Sequence, residues 1–137
     1  MENYIKYIIT IIYIIIAEFI WIYLLNAKNY ADVTKLVQKT DMKVNINYAF
    51  IAYILVFMSI FLLAIPFSNK YINKKDKKIN YILKSLYYSG MVGFFIYGIY
   101  NFTCMSFFEK YPLTTAIIDT IWGTILYSFV VFVFFML

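Results

Sequence analysis

Four long apolar runs occupy most of this 137-residue chain and limit what it can fold into. They are Tyr4–Leu25, Ile46–Phe67, Leu83–Phe108 and Leu113–Leu137. Each run exceeds the roughly 20 residues that an α-helix needs to cross the hydrocarbon core of a bilayer. Only 14% of the residues are charged, which leaves too few polar side chains to give these helices water-facing surfaces. The sequence predicts an all-α integral membrane protein, with one membrane domain over residues 1–137 that forms a four-transmembrane-helix bundle.

The polar connections between the runs differ in length and in charge. The first, Asn26–Asn45, is long enough to hold a short interfacial helix, although a solvated loop fits it equally well. The second, Ser68–Ile82, is rich in lysine, and Pro66 and Asn69 together favour the end of the second helix. The third, Glu109–Pro112, is so short that the third and fourth helices must form a tight antiparallel hairpin.

The orientation in the membrane follows from the lysines, because loops on the cytoplasmic side of membrane proteins are enriched in Lys and Arg. Seven lysines lie on the side of the N-terminus and the second connection, namely Lys6, Lys70, Lys74, Lys75, Lys77, Lys78 and Lys84. Five lie on the other side, namely Lys28, Lys35, Lys39, Lys43 and Lys110. This bias predicts that both termini are cytoplasmic. Abundant Ile, Tyr, Phe, Asn and Lys, which have AT-rich codons, indicate an AT-rich genome of either a low-GC bacterium or a large DNA virus.

Two of the apolar runs contain a lone carboxylate, Glu18 in the first and Asp119 in the last. A charged group at the centre of a bilayer costs on the order of 3 kcal/mol or more, so such residues usually face the protein interior and mark candidate functional sites. Glu18 lies seven residues before the first run ends, Asp119 seven after Pro112, and Asn101 seven before Phe108. At a rise of about 1.5 Å per residue, all three lie roughly 10 Å below the same membrane surface.

We therefore expect Glu18, Asn101 and Asp119 to form one polar intramembrane cluster, with Tyr97 or Tyr100 contributing a hydroxyl group. No cationic side chain is expected at that depth, and two neighbouring carboxylates cannot both ionise cheaply in a medium of low dielectric constant. A shared proton, a bound cation or a cationic ligand would relieve them. The alternative is that the cluster serves only to hydrogen-bond the helices together.

The small and the large residues of these runs predict helix contacts. Three glycines of the third run, Gly90, Gly93 and Gly98, are helix-packing positions because they allow two backbones to approach closely. Trp21 and Trp122 each lie three residues after a carboxylate. These indole rings either form an aromatic wall around a ligand or pack and anchor the helices at the membrane interface.

Several classes of chemistry have no support in the sequence. The chain has no histidine and a single cysteine, Cys104, which excludes an internal disulfide and a multi-cysteine metal site. It also lacks a glycine-rich phosphate loop and a basic stripe interleaved with aromatic residues of the kind that binds nucleic acid. We expect a protein that is not an enzyme and that binds no cofactor, metal or nucleic acid.

The second half of the chain resembles a family signature. It carries Tyr97-Gly-Ile-Tyr100-Asn101-Phe-Thr103, then Pro112, and then Asp119-Thr-Ile-Trp122-Gly123. This pattern is similar to that of small bacterial membrane proteins, approximately Y-x-x-Y-D-L-T-N, then W-P, then D-x-x-W-G. The family is catalogued as domain of unknown function 2177. Its members also carry an acidic residue three positions before a Trp in the first span, as here.

The departures from the family pattern concern the polar residues. The family Asp falls at Asn101, its Asn at Cys104, and its Trp before Pro at Tyr111. The resemblance thus implies a four-helix integral membrane protein in which one of three intramembrane carboxylates is absent. It implies no established activity.

Two functions fit these observations. The first is a small transporter, channel or ligand-binding protein with Glu18, Asn101 and Asp119 at its polar centre and a proton, a cation or a small molecule as its ligand. The second is a non-catalytic structural protein of a cell membrane or a viral membrane, whose polar residues only bridge helices. The lipid bilayer is the partner in both cases, and a homo-oligomer is compatible with either.

Overall fold

The computed structural model describes residues 3–73 and 75–137. The regular structure within these ranges is entirely helical, which confirms the predicted all-α fold. Four helical stretches are long and apolar enough to cross a membrane, namely Tyr4–Leu25, Ile46–Asn69, Lys78–Phe107 and Leu113–Met136. The third therefore begins five residues before the predicted run. Lys74, which entered the orientation argument, lies outside the described residues.

Two of the four spans contain a π-helical segment. The α-helices are α1 (Asn3–Phe19), α2 (Ala27–Gln38), α3 (Ile46–Ser59), α4 (Ile65–Asn69), α5 (Lys78–Phe107) and α6 (Leu113–Met136). The π-helical segments are Ile20–Leu25, which continues α1, and Ile60–Ala64, which joins α3 to α4.

The π-helical segments change the direction in which the following side chains point, because each adds a residue to a helical turn. At the end of the first span, the backbone N–H of Asn26 bonds the carbonyl oxygen of Trp21, five residues earlier, at 2.8 Å. In the second span, Ile60 and Ala64 become buried. Pro66 then falls in the first turn of α4, where a missing N–H is tolerated. The helix consequently continues past Pro66 and ends at Asn69, the other residue expected to favour its end.

The first connection contains a short helix, α2, which is the helical one of the two predicted alternatives. Its apolar side buries Val33 while Lys28 pairs with Asp32 on the exposed side at 3.1 Å. The helix ends at Lys39, which adopts the left-handed conformation with a φ of 59°. α2 packs back against the π-helical end of the first span and thereby brings its residues over the polar layer.

The hairpin of α5 and α6 is the most extensive helix pair in the described structure. α6 is central, since half of its most apolar stretch is buried. Its Leu126, Tyr127, Val130 and Val131 form the hydrophobic core with Ile14 of α1. The Tyr127 hydroxyl shares a hydrogen bond with Ser59, which ties α3 to this core.

Glycines set the separation of α5 and α6. A Cβ atom on Gly93 would collide with the carbonyl oxygen of Gly123, and one on Gly90 would collide with the hydroxyl of Ser128. The position of Gly98 differs, because its nearest neighbour would be the methyl group of Thr120 at 3.5 Å, an ordinary contact. Close approach therefore depends on Gly90 and Gly93, and hardly on Gly98.

Candidate functional site

Glu18 lies on the buried side of α1 and faces the α5–α6 hairpin. Its side chain is 6% exposed. Oε1 accepts hydrogen bonds from the hydroxyl of Tyr97 at 3.0 Å and from Nε1 of Trp122 at 3.3 Å. Within residues 3–73 and 75–137, Oε2 of Glu18 accepts no protein hydrogen bond. One carboxylate oxygen is thus fixed by two neighbouring helices, and the other remains available to a proton or a ligand.

Asp119 lies at the same level on α6 and is also 6% exposed. Oδ1 accepts a hydrogen bond from the hydroxyl of Tyr30, and Oδ2 accepts one from Nδ2 of Asn101 at 2.7 Å. The Asn101 side chain is fully buried. Its Nδ2 also donates to the backbone carbonyl of Tyr97 at 2.9 Å, and its Oδ1 accepts from the Tyr111 hydroxyl at 2.7 Å. This amide connects α5 and the loop between α5 and α6 to the carboxylate.

A second layer of contacts attaches α2 to the cluster. Nε1 of Trp21 donates to the hydroxyl oxygen of Tyr30 at 3.0 Å. The indole rings of Trp21 and Trp122 stack with centroids 4.6 Å apart and an interplanar angle of 4°. The Thr115 hydroxyl of α6 donates to Oδ1 of Asn29 at 3.2 Å. α2 is therefore part of the site and does not simply connect two spans.

The Tyr97 ring is positioned by a glycine that the sequence argument did not single out for packing. A Cβ atom on Gly123 would collide with Cγ and Cδ2 of this ring. The ring also packs edge-on against Tyr127, with centroids 6.2 Å apart. Gly123 thus allows Tyr97 to lie across α6 and to reach Glu18. The signal was present in the sequence, since this glycine ends the D-x-x-W-G pattern.

The two carboxylates line one cavity of about 520 Å³. Its remaining walls are aromatic or aliphatic and come from the first three spans and α2, namely Ile22, Tyr30, Ala52, Tyr53, Leu55, Val56, Ile96, Tyr97 and Tyr100. Leu55 and Tyr100, which lie within spans, are 59% and 62% exposed. The cavity therefore opens sideways, between α3 and α5, toward the surface that the bilayer covers.

The two tyrosines that contact the cluster from outside the spans are held in their neutral form. Burial, and then the charge of Asp119, raises the pKa of Tyr30 well above its ordinary value of 10.0. Burial is also the largest cause that raises the pKa of Tyr111, followed by Tyr100 and Asp119. Both phenols consequently remain hydrogen-bond donors across the physiological pH range.

The polar cluster of the structure contains most of the residues named from the sequence. Glu18, Asn101, Asp119 and Tyr97 share one hydrogen-bond network, and the two tryptophans stack beside it. Tyr100 lines the cavity, but its hydroxyl lies next to the thiol of Cys104. The hydrogen bonds to the second carboxylate and its amide come instead from Tyr30 and Tyr111, which lie outside the spans and were not named as part of the site.

Comparison with known proteins identifies the family. A family model described as "Predicted membrane protein (DUF2177)" matches residues 3–136. Neither the curated proteins nor the solved structures contain a significant match. The match covers all four spans and confirms the resemblance inferred from the Tyr97–Gly123 pattern. The chain therefore belongs to the DUF2177 family of integral, multi-pass membrane proteins.

Proposed function

We propose that this protein is a small membrane transporter or ligand-binding protein that takes up a proton or a small cation at Glu18 and Asp119. The observation that carries the proposal is that both carboxylates line the same 520 Å³ cavity. A pair of carboxyl groups used only as helix contacts has no need of such a space. The role is non-catalytic.

The charge of the cavity determines the kind of ligand. No lysine is among its described lining residues, so these residues offer no cation to balance Glu18 and Asp119. A proton or an external cation then lowers the cost of keeping two carboxylates in a medium of low dielectric constant. The faces of Tyr53, Tyr97 and Tyr100 favour a compact organic ammonium, because aromatic rings attract cations that have lost water.

The route to the cavity follows from the proposed orientation. Lysine bias favours cytoplasmic termini, so Leu25 and the α5–α6 loop are assigned to the opposite surface. The cluster is then roughly 10 Å below that outer surface by helix rise, and α2 covers it. A ligand that enters from outside passes α2 or arrives sideways between α3 and α5.

The experiment is a flux assay in liposomes that contain the purified protein. Proton entry is followed with a trapped pH-sensitive dye under an imposed potential, and entry of methylammonium or tetramethylammonium is followed as uptake. Glu18→Gln and Asp119→Asn keep the size and one acceptor oxygen of each side chain, and both should reduce flux at least tenfold. Glu109→Gln is the matched control, since Glu109 is exposed in the α5–α6 loop. Equal flux for wild type and for both site variants, with folding intact, would reject the proposal.

A structural role is the second candidate, and the hydrogen-bond network favours it. Glu18 connects α1 to both helices of the hairpin, and Asp119 connects α6 to α2 and α5. Such bonds contribute on the order of 0.5–2 kcal/mol each in membrane proteins. If the protein acts only as a structural component of a cell or viral membrane, Glu18→Gln and Asp119→Asn should lower thermal stability while liposomes with wild-type protein show no flux.

A further inference from the structure

A second cavity, of about 450 Å³, also lies between the second span and α5, but nearer the second connection, and it shares Ile96 with the cavity of the acidic cluster. It is a groove between α5 and the stretch formed by Ile60–Ala64 and α4. Its walls are Leu62, Leu63, Pro66, Phe67, Lys70, Met91, Val92, Phe95 and Ile96. Eight of these nine side chains are apolar. The π-helical segment accounts for the groove, because it buries Ile60 and Ala64 and leaves Leu62 and Leu63 on the exposed side.

The groove runs along the helix axes toward the membrane surface. Leu62 and Lys70 are eight residues apart, which corresponds to about 12 Å along a helix. Leu62 lies within a span, whereas Lys70 directly follows the end of α4 at Asn69. One end of the groove is consequently in the hydrocarbon layer and the other is at headgroup level.

The headgroup end carries a lysine whose charge is not neutralised within the described residues. The ion pairs among the described residues involve Lys28, Lys35 and Lys84. Lys70 takes part in none of them and is exposed. Beside Lys70, the rings of Tyr71 and Tyr88 stack with centroids 4.1 Å apart, and Phe67 packs edge-on against Tyr71. A cation beside interfacial aromatic rings, above an apolar groove, is complementary to a lipid with an anionic headgroup.

We infer that this groove binds one anionic phospholipid, with an acyl chain along Leu62, Leu63, Val92 and Phe95 and the phosphate at Lys70. The groove is unsuited to an extended peptide, because the apolar side chains that line it offer no hydrogen bonds to a backbone in hydrocarbon. It is also open on the side that the bilayer covers. The proposed cytoplasmic position of Lys70 agrees with this occupant, since that leaflet carries anionic lipid. Neither Glu18 nor Asp119 lines this groove, so the inference does not depend on the function proposed for them.

The test is native mass spectrometry of the detergent-purified protein with phosphatidylglycerol or phosphatidylcholine of identical acyl chains. Wild type should retain phosphatidylglycerol preferentially. Lys70→Gln should reduce that preference about fivefold. Lys77→Gln is the matched control, because it removes an exposed lysine of the same connection that does not line the groove. Leu63→Trp, which fills the groove from its exposed rim, should reduce binding of both lipids.

Three results would overturn the assignment. Equal retention of the two lipids by wild type would remove the role of charge. An equal loss of the preference for phosphatidylglycerol in Lys70→Gln and Lys77→Gln would show that this lipid is attracted to the basic surface in general. A dimer that dissociates in Leu63→Trp, with lipid binding unchanged, would assign the groove to a second copy of the chain.

Discussion

The hydroxyl of Tyr30 in α2 donates a hydrogen bond to Oδ1 of Asp119 in α6, a residue 89 positions later in the chain. The same hydroxyl oxygen accepts a hydrogen bond from Nε1 of Trp21. The connection between the first two spans is therefore joined to the buried carboxylate by one phenol. Any proton or ligand that changes the charge of Asp119 also changes the strength of the bond that holds α2, because hydrogen bonds to charged groups are the stronger ones.

Replacing Tyr30 with Phe should loosen α2. The change leaves Oδ1 of Asp119 and Nε1 of Trp21 without their shared partner, and losing a hydrogen bond to a charged group costs about 1.5–3 kcal/mol. Hydrogen exchange of the α2 amides in detergent should accelerate. Tyr48→Phe is the control, since Tyr48 is 71% exposed at the start of α3. Exchange rates in α2 that are the same in both variants would show that the hydroxyl does not hold the helix.

The same variant should change how stability depends on alkaline pH. The pKa of Tyr30 is raised in the folded protein above its ordinary value of 10.0. The unfolded chain therefore releases this proton first, and stability falls as the pH rises above about 10. Thermal stability measured from pH 8 to pH 11 should decline more steeply in Tyr48→Phe, which retains Tyr30, than in Tyr30→Phe. Identical slopes of thermal stability against pH in the two variants would contradict the raised pKa of Tyr30.

Two glycine-to-alanine substitutions on α5 should have opposite outcomes. Gly93→Ala places a methyl group against the backbone of Gly123 and 2.8 Å from Cβ of Tyr127, and overpacking of this kind costs about 1–3 kcal/mol. Gly98→Ala meets only an ordinary contact and gains about 0.5–1 kcal/mol of helix preference. Unfolding of both proteins in mixed micelles measures the difference. A comparable loss of stability in the two variants would refute the close packing at Gly93.

Asn101→Asp restores the acidic residue of the family pattern and should make stability depend on pH. The new carboxylate replaces the amide nitrogen that now lies 2.7 Å from Oδ2 of Asp119. Two carboxyl groups at that distance require a proton between them. The variant should therefore be less stable at pH 8 than at pH 5, by a larger margin than wild type. Thermal melts at both pH values test this, and a margin equal to that of wild type would count against it.

Cysteine labelling should assign the loops to opposite sides of the membrane. Cys104 is the only cysteine, so Lys43→Cys and Lys77→Cys can be introduced separately on a Cys104→Ala background. In intact bacterial cells that express the protein, an impermeant maleimide should label position 43 but not position 77, because lysine bias favours an internal second connection. Labelling of both positions from outside would contradict the four-span topology, and labelling of position 77 alone would invert it.

The four spans and the depth of the polar layer could be read from the sequence because both depend on helix geometry alone. Seven-residue offsets gave Glu18, Asn101 and Asp119 a common depth, and the structure connects them through Tyr97. The sequence did not decide whether Tyr97 or Tyr100 contributes a hydroxyl group to the cluster. Tyr97 and Asn101 are four residues apart and lie on one side of α5. Tyr100 is one residue before Asn101, which turns it about 100° around the helix, toward the cavity mouth and Cys104.

The hydrogen bonds that residues outside the spans make to the polar cluster could not be predicted from the sequence. Nothing local in the sequence indicates that α2 folds back over α6 and brings Tyr30 to Asp119. That path depends on the π-helical segment Ile20–Leu25, and a single added residue in a helical turn leaves no compositional signal. Tyr111 was recognised only as a departure from the family Trp, although its hydroxyl completes the hydrogen bonding of Asn101.

The stacked pair of Trp21 and Trp122 provides an intrinsic spectroscopic probe of the polar cluster. These are the two tryptophans of the chain, so all of its indole fluorescence originates beside Glu18 and Tyr30. One ring belongs to the first span and the other to the last, and the coupling of their excited states depends on the distance and the angle between the rings. Emission and near-ultraviolet circular dichroism of unlabelled wild-type protein should therefore respond directly to occupancy of the acidic cavity.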